Sequence, residues 1–211
     1  MKQLHATVLS LSRSDVKHLK IHDAYSIHRV VYDLFDDVRT EEQKHNSVPS
    51  GILYADKGGD FHRRKVVILA DRPPKKPVYG EIESKIISSA FLQHTHYAFE
   101  VTLNPGKRDN QSRKILPVRG REAITSWFIE RAEAEWGFKV NPVNLQIEKM
   151  CIQRFEKASH TVTHSSATLK GELAVLEPAR FVQSFSQGIG RGRAFGFGLL
   201  QIVPLKTHQT F

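Results

Sequence analysis

The sequence predicts an α+β fold of two tandem ferredoxin-like (RRM-like) domains, each with the element order βαββαβ. Segments with the two-residue alternation of strands are interspersed with segments whose apolar residues repeat at helical spacing. A second set of such elements follows a basic stretch, in nearly the same order as the first. The 211 residues allow two small domains, and 40% apolar residues are enough for packed cores.

Residues 1–105 are assigned to an N-terminal domain built around one helix. This helix is expected to begin near Ala24, because the Asp23 carboxylate can accept hydrogen bonds from the first helical amides. Its apolar side chains form one stripe, and the opposite stripe contains Tyr25, His28, Arg29 and Tyr32. The other predicted elements are strands at 5–11, 51–55, 65–70 and 96–103 and a short helix at 80–88.

Residues 106–120 are interpreted as a basic linker. The slightly longer stretch 104–121 contains six Lys or Arg residues and one Asp, a local charge of +5. Such a stretch either connects two domains or lies against nucleic acid.

Residues 121–211 are assigned to a C-terminal domain whose opening strand is not identified. Pro178 is suited to the first turn of a helix, because its φ is already helical and its missing N–H is not needed there. The predicted elements are helices at 122–137 and 178–187 and strands at 143–155, 161–175 and 199–203.

A glycine-rich stretch at 187–200 connects the last helix to the last strand. It contains five of the thirteen glycines, and Arg191 and Arg193 stand among them. Glycines such as Gly190 let backbone amides approach a ligand closely, and arginine suits phosphate, so the stretch is a candidate cradle for a polyanion. Its spacing matches neither a dinucleotide fingerprint nor a Walker loop. The alternative is a tight surface turn with solvated arginines.

The composition favours a nucleic-acid partner. Lys and Arg number 31 against 22 Asp and Glu, which gives a net charge of +9, and an acidic membrane surface is the second choice of partner.

The single cysteine, Cys151, excludes an internal disulfide and indicates a reducing compartment. The sequence lacks a signal-peptide pattern and any apolar run near the roughly 20 residues of a membrane helix, so a soluble cytoplasmic protein is expected.

Four motifs resemble those of the CRISPR-associated endoribonuclease family CasE, of the type I-E systems and the RAMP superfamily. They follow one another along the chain in the same order as in that family. Residues 188–204 resemble its C-terminal signature of Gly-apolar-Gly, a basic residue, Gly-apolar-Gly-Leu-Leu and apolar-Pro. Residues 99–105 are similar to its central strand ending in Asn-Pro, and 24–29 to a Tyr-x-x-His-Arg helix start. Residues 171–175 are similar to another of its strands, although Lys170 stands where the family often has an acidic residue.

The resemblance implies cleavage of CRISPR repeat precursor RNA at the 3′ base of a stem-loop, without a metal or other cofactor. It implies a 2′,3′-cyclic phosphate product, continued binding of the guide RNA, and other subunits of the type I-E surveillance complex as partners. The family's catalytic histidine corresponds to His28, and a tyrosine that assists in some members corresponds to Tyr25.

The chemistry of these residues agrees with that activity. Attack by the RNA 2′-hydroxyl needs a base, an acid and positive charge around phosphorus, and histidine can transfer either proton near neutral pH. Tyr25 lies one helical turn from His28, and Arg29, Arg191 and Arg193 can offset the developing charge. An RNA stem is gripped by phosphate and shape. The candidate contacts to such a stem are Lys107, Arg108, Arg113, Lys114, Arg154 and Lys157.

Three alternatives remain open. A zinc enzyme could use His94 and His96, which share one face of a strand, with His160 and His164. A two-histidine RNA phosphoesterase could use the His-Ala-Thr at 5–7 and the His-Ser-Ser at 164–166. A non-catalytic guide-RNA-binding subunit would have the same fold and basic surface, and only Tyr25 and His28 distinguish the enzyme from it.

Overall fold

The computed structural model of the chain describes residues 3–46, 48–60, 62–157 and 160–205, without the side chains of 152–157 and 160–164. These residues form two units. The first comprises the residues up to Ile87 together with a short return of the chain, Arg193–Gly196. The second comprises Ser88–Gly192 and the chain from Phe197 onward.

The first unit is a four-stranded antiparallel sheet with helices that follow its first strand. Its strands lie in the order β2-β3-β1-β4, which places the last strand beside the first. Its elements are β1 His5–Ser12, α1 Arg13–His18, α2 Ala24–Asp33, α3 Glu41–His45, β2 Ile52–Gly59, β3 Arg63–Ala70 and β4 Glu81–Ile86. The short helices α1 and α3 were not predicted from the sequence.

The predicted helix at 80–88 is wrong. Most of that segment is β4, whose backbone pairs with β1 from His5↔Ile86 to Ser10↔Glu81. The preceding residues 71–80 contain three prolines, which cannot continue a helix, so a loop occupies the position of the second helix. A four-residue 3-10 helix, Ser89–Leu92, follows and belongs to the second unit.

The predicted helix beginning at Ala24 is confirmed as α2. The Ser26 amide donates to Asp23 Oδ1 at 2.8 Å, and the Asp23 amide donates to Ser26 Oγ at 3.0 Å, so each residue satisfies the other at the helix start. Ile27 and Val31 are buried in the first unit's apolar core, as the predicted stripe requires. Of the opposite stripe, Tyr32 packs against the edge of this core, and Tyr25, His28 and Arg29 lie outside it.

The second unit repeats the strand order of the first. Its strands lie in the order β11-β5-β10-β8, and β9 pairs with the part of β10 that precedes the β8 pairing. Its elements are β5 His96–Leu103, β6 Gly106–Arg108, β7 Ile115–Pro117, α4 Arg121–Glu135, β8 Phe138–Val140, β9 Gln146–Lys157, β10 His160–Val175, α5 Pro178–Gln187 and β11 Gln201–Pro204. The predicted α+β class with two ferredoxin-like units is confirmed.

The predicted domain boundaries need correction. The strand at 96–103 exists, but as β5 it is the missing opening strand of the second unit and not the fourth strand of the first. It pairs with β10 from Ala167↔Leu103 to Ala174↔His96 and with β11 on its other side. Alternation of side chains identifies a strand but not the strands with which it pairs. The predicted domain boundaries, 1–105 and 121–211, are therefore wrong, because the second unit already begins at Ser88.

The expected basic linker at 106–120 is mostly a β-hairpin of the second unit. Strands β6 and β7 pair from Gly106↔Pro117 to Arg108↔Ile115. In its turn, the Asp109 carboxylate accepts hydrogen bonds from the Ser112 amide at 2.7 Å and hydroxyl at 2.6 Å. These bonds lower the pKa of Asp109 and keep it ionised in the turn.

The glycine-rich stretch is held in the second unit by backbone hydrogen bonds on both sides of Arg193–Gly196. The Gly198 amide donates to the Thr102 carbonyl at 2.8 Å, and the Ile189 amide donates to the Gly198 carbonyl at 2.9 Å. Gly198 has φ +83°, and a Cβ there would overlap the Ile189 carbonyl. Within the described residues, none of the helices combines the length and apolarity needed to cross a membrane.

Candidate active site

Three half-buried aromatic side chains lie in a row on the second stripe of α2. The His28 ring centroid lies 6.0 Å from that of Tyr25 and 4.1 Å from that of Tyr32. The Tyr32 hydroxyl is 2.9 Å from Ser50 Oγ, which fixes that ring on one side of the histidine. The predicted grouping of Tyr25 and His28 on one helix face is therefore present.

The chain segment Arg193–Gly196 contacts this histidine from within the same unit. Its first three residues form a short 3-10 turn. His28 Nδ1 lies 2.7 Å from the Ala194 carbonyl oxygen, and the Phe195 ring centroid lies 5.7 Å from that of His28. A carbonyl oxygen can only accept, so Nδ1 carries the proton and donates it. In the neutral ring the lone pair then lies on Nε2.

A second side chain binds the same carbonyl. The Tyr54 hydroxyl donates to the Ala194 oxygen at 3.1 Å, and Tyr54 is 1% exposed. Burial strongly raises the pKa of the Tyr54 phenol, so its hydroxyl stays protonated and remains a donor. Gly196 lies against the Tyr54 ring, where an added Cβ would come within 3.0 Å of Cε2.

A groove of about 510 Å³ opens beside His28 in the first unit. Its lining includes Lys20 and Arg29, which bring positive charge, the single carboxylate of Asp33, and the rings of Tyr25 and Tyr32. The Arg29 guanidinium carbon lies 5.9 Å from the centre of the Tyr25 ring. The groove therefore combines a proton-transfer group with cations and aromatic faces, which suits an anionic, base-bearing ligand.

The basic residues of the hairpin are strongly exposed. Lys107 is 3.6 Å from Glu130 in a surface ion pair, and the side chains of Arg108, Arg113 and Lys114 are exposed. Arg113 sits in the turn with φ +59°. This surface presents several cations on one short hairpin, which suits contact with a phosphate backbone.

The candidate residues of the glycine-rich stretch are divided between the two units. Arg191 and Gly190 belong to the second unit, and Arg193 belongs to the first. Arg191 lies at the base of the hairpin, because a Cβ added to Gly106 would be 3.2 Å from its guanidinium nitrogen. Gly190, with φ +71°, packs against Leu103 and is a structural turn residue in this unit. The predicted contacts Arg154 and Lys157 lie outside the described side chains.

Sequence reasoning missed three contributors to this site: Lys20, Tyr54 and the Ala194 carbonyl. Lys20 follows a short helix that was not predicted. Tyr54 stands in an apolar strand, and its one signal is that a buried phenol needs a hydrogen-bond partner. A backbone carbonyl has no side-chain signal at all.

Among the described residues, no group of three or more His, Cys, Asp or Glu side chains is close enough to hold a metal ion. His94 and His96 are exposed in the second unit. His160 and His164, the other proposed zinc ligands, lie outside the described side chains.

Known proteins resemble this chain in sequence and in fold. The curated CRISPR-associated endoribonuclease Cse3 from Thermus thermophilus is 27% identical over 116 residues, which cover 50% of this chain and 54% of that protein. The match thus spans about half the length of that relative.

Solved structures match over nearly the whole chain. Cse3 bound to a 19-nucleotide RNA has a TM-score of 0.79 at 19% identity, over 96% of this chain and 100% of that one. A chain of a CRISPR RNA-guided surveillance complex has a TM-score of 0.65 at 18% identity, over 95% and 100%. At these identities the likeness establishes the tandem ferredoxin-like fold. A family model described as CRISPR associated protein matches residues 4–204, and the chain therefore belongs to the family of CRISPR-associated proteins.

Proposed function

We propose that this chain is an endoribonuclease that cleaves CRISPR repeat precursor RNA at the 3′ base of a stem-loop and then retains the guide RNA. The observation that supports this proposal most directly is the placement of His28. Its Nδ1 donates to the Ala194 carbonyl oxygen at 2.7 Å, and its ring adjoins the groove lined by Lys20 and Arg29. Family membership and the endoribonuclease Cse3 among its relatives support this choice of reaction.

In the proposed reaction, the RNA 2′-hydroxyl loses its proton to a base, and its oxygen attacks the adjacent phosphorus. The bond from phosphorus to the 5′-oxygen breaks, and that oxygen takes a proton from an acid. The products are a 2′,3′-cyclic phosphate and a 5′-hydroxyl, so the atoms balance without a metal or another cofactor.

His28 is the proposed principal acid–base group. With Nδ1 donating to Ala194, the neutral ring carries at Nε2 the lone pair that a base needs, and the protonated ring can serve as an acid. Tyr25 is its proposed helper, as a hydroxyl donor beside the reacting phosphate. Lys20 and Arg29 would offset the negative charge that develops around phosphorus.

RNA retention is assigned to the basic hairpin and the glycine-rich stretch. Proteins hold an RNA stem mainly through phosphates and shape, and exposed lysines and arginines meet that need. The proposed contacts in these two segments are Lys107, Arg108, Arg113, Lys114, Gly190, Arg191 and Arg193. Arg29, Arg154 and Lys157 are proposed as further contacts outside them. We further propose that the protein acts in the cytoplasm with other subunits of the type I-E surveillance complex, since a surveillance-complex chain is among its structural matches.

One assay tests the reaction class. The protein is incubated with its own repeat hairpin in excess chelator, and in parallel with a hairpin carrying 2′-deoxyribose at the scissile nucleotide. We expect cleavage of the first to a cyclic phosphate and no cleavage of the second, because the deoxy sugar lacks the attacking oxygen. Cleavage of the deoxy substrate contradicts the mechanism, whereas binding of both without cleavage assigns the chain to the non-catalytic RNA-binding class.

A further inference from the structure

The Ala194 carbonyl oxygen joins two elements of the first unit. It accepts from His28 Nδ1 on α2 at 2.7 Å and from the Tyr54 hydroxyl on β2 at 3.1 Å. A carbonyl oxygen has two lone pairs, so both hydrogen bonds can exist together. The position of this oxygen therefore depends on Tyr54 as well as on its own backbone.

Tyr54 is well placed to hold that oxygen still. It is 1% exposed, and its backbone pairs with Ile68 in the sheet. Its ring lies against Gly196, which has φ +83° and no side chain to prevent the approach. The turn that carries Ala194 is thus fixed by the Tyr54 hydroxyl at one point and by its ring at another.

We propose that Tyr54 is a positioning residue, whose hydroxyl holds the Ala194 carbonyl where it receives the Nδ1 proton of His28. This contact keeps the neutral imidazole in the tautomer with its lone pair on Nε2. The effect on cleavage rests on the proposed function, but the tautomer is a property of the folded protein alone. Without a fixed acceptor at Nδ1, the proton distributes between the two ring nitrogens.

Tyr54→Phe tests this role because it removes the hydroxyl and keeps the ring. Tyr97→Phe is the matched control: Tyr97 is also buried, and its hydroxyl donates to the Phe91 carbonyl at 2.8 Å in the second unit. The ring nitrogens of ¹⁵N-labelled histidine are observed by NMR at a pH where the ring is neutral, and the His28 signals are assigned with His28→Gln. Single-turnover cleavage and the RNA Kd are measured on the same proteins.

In the wild type and in Tyr97→Phe, we expect neutral His28 to be protonated at Nδ1. In Tyr54→Phe we expect a clear population protonated at Nε2, and cleavage slower by about tenfold with an RNA Kd within about twofold of wild type. A general loss of packing would not produce this split, because it would weaken RNA binding as well.

The positioning role is overturned if Tyr54→Phe keeps the wild-type tautomer, whatever its cleavage rate. It is also overturned by a changed tautomer with wild-type cleavage, which would separate the ring's orientation from the reaction. The wild-type spectrum by itself can also overturn the role, since a proton on Nε2 of wild-type His28 contradicts the contact with Ala194 on which it depends. Failure of the wild type to cleave any repeat hairpin rejects the proposed function and leaves the tautomer test intact.

Discussion

His28 and Ala194 are 166 residues apart in the chain, and the Nδ1 atom of the first lies 2.7 Å from the carbonyl oxygen of the second. The glycine-rich stretch near the C-terminus therefore contributes main-chain chemistry to a histidine on the first long helix. This contact orients the imidazole and places the proton of the neutral ring on Nδ1, because the hydrogen bond made by one ring nitrogen sets the protonation of the other.

Substitution of His28 tests the proposed catalyst directly. We expect His28→Ala to slow single-turnover cleavage of the cognate hairpin by about 100-fold or more, because both proton transfers lose their principal group. His94→Ala is the control, since His94 is exposed in the second unit, and it should cleave like the wild type. Cleavage by His28→Ala within threefold of wild type would remove His28 from the reaction.

Tyr25→Phe separates the hydroxyl of Tyr25 from its ring. The ring lies 6.0 Å from that of His28 and would stay in place, so RNA binding should remain within about twofold. Cleavage should fall by about tenfold if the hydroxyl assists proton transfer. An unchanged rate would limit Tyr25 to a packing or stacking role.

The basic hairpin is tested by the salt dependence of RNA binding. Arg113→Ala with Lys114→Ala removes two exposed cations, so the slope of log K against log salt should become shallower by about 2. Lys65→Ala with Lys85→Ala is the matched control, because it removes the same charge from exposed positions on β3 and β4. If both double variants make the slope shallower than that of the wild type by the same amount, net charge matters and the position of the charges on the hairpin does not.

The cap of α2 predicts a pH-dependent stability. Burial acts to raise the pKa of Asp23, but hydrogen bonds from Ser26 and the Tyr25 amide outweigh it and lower that pKa below its ordinary value. The ionised carboxylate therefore stabilises the fold above about pH 4, and this contribution is lost as the pH falls through the folded-state pKa. Asp23→Ala should lower the free energy of unfolding by about 1 kcal/mol at pH 7, and by less at acidic pH.

Thr40→Ala is the control for that experiment. Thr40 caps α3 through the Gln43 amide at 3.2 Å and carries no charge. Its cost in denaturant unfolding should not change with pH. A pH-independent cost for Asp23→Ala would show that the charge of Asp23 adds nothing to the cap.

Gly198 is expected to be intolerant of a side chain. Gly198→Ala adds a Cβ that overlaps the Ile189 carbonyl, at φ +83°, and should destabilise the protein by about 2 kcal/mol or more. Gly58→Ala is the matched control, because Gly58 has φ +73° but nothing within 4 Å of an added Cβ. Its cost in urea unfolding should be smaller, near the 1 kcal/mol or so of backbone strain alone. Equal costs would contradict the close contact at Gly198.

Local sequence patterns identified much of this molecule. The α2 helix, its Asp23 cap and its stripe with Tyr25 and His28 follow from side-chain periodicity, which is a property of adjacent residues. The strand at 96–103 was likewise recognised by alternation. The unit to which this strand belongs was not recognised, because strands pair through backbone groups that are the same in every residue.

The sequence by itself determined the fold class, the helix that carries His28 and the glycine-rich motif, since each depends on residue types at short spacing. Only the tertiary structure decided that Arg193–Gly196 joins the first unit and that the Ala194 carbonyl meets both His28 and Tyr54. The physical reason is that these contacts use a main-chain oxygen and distant parts of the chain. These contacts cannot be recognised from the order of side chains, because they are set by long-range packing.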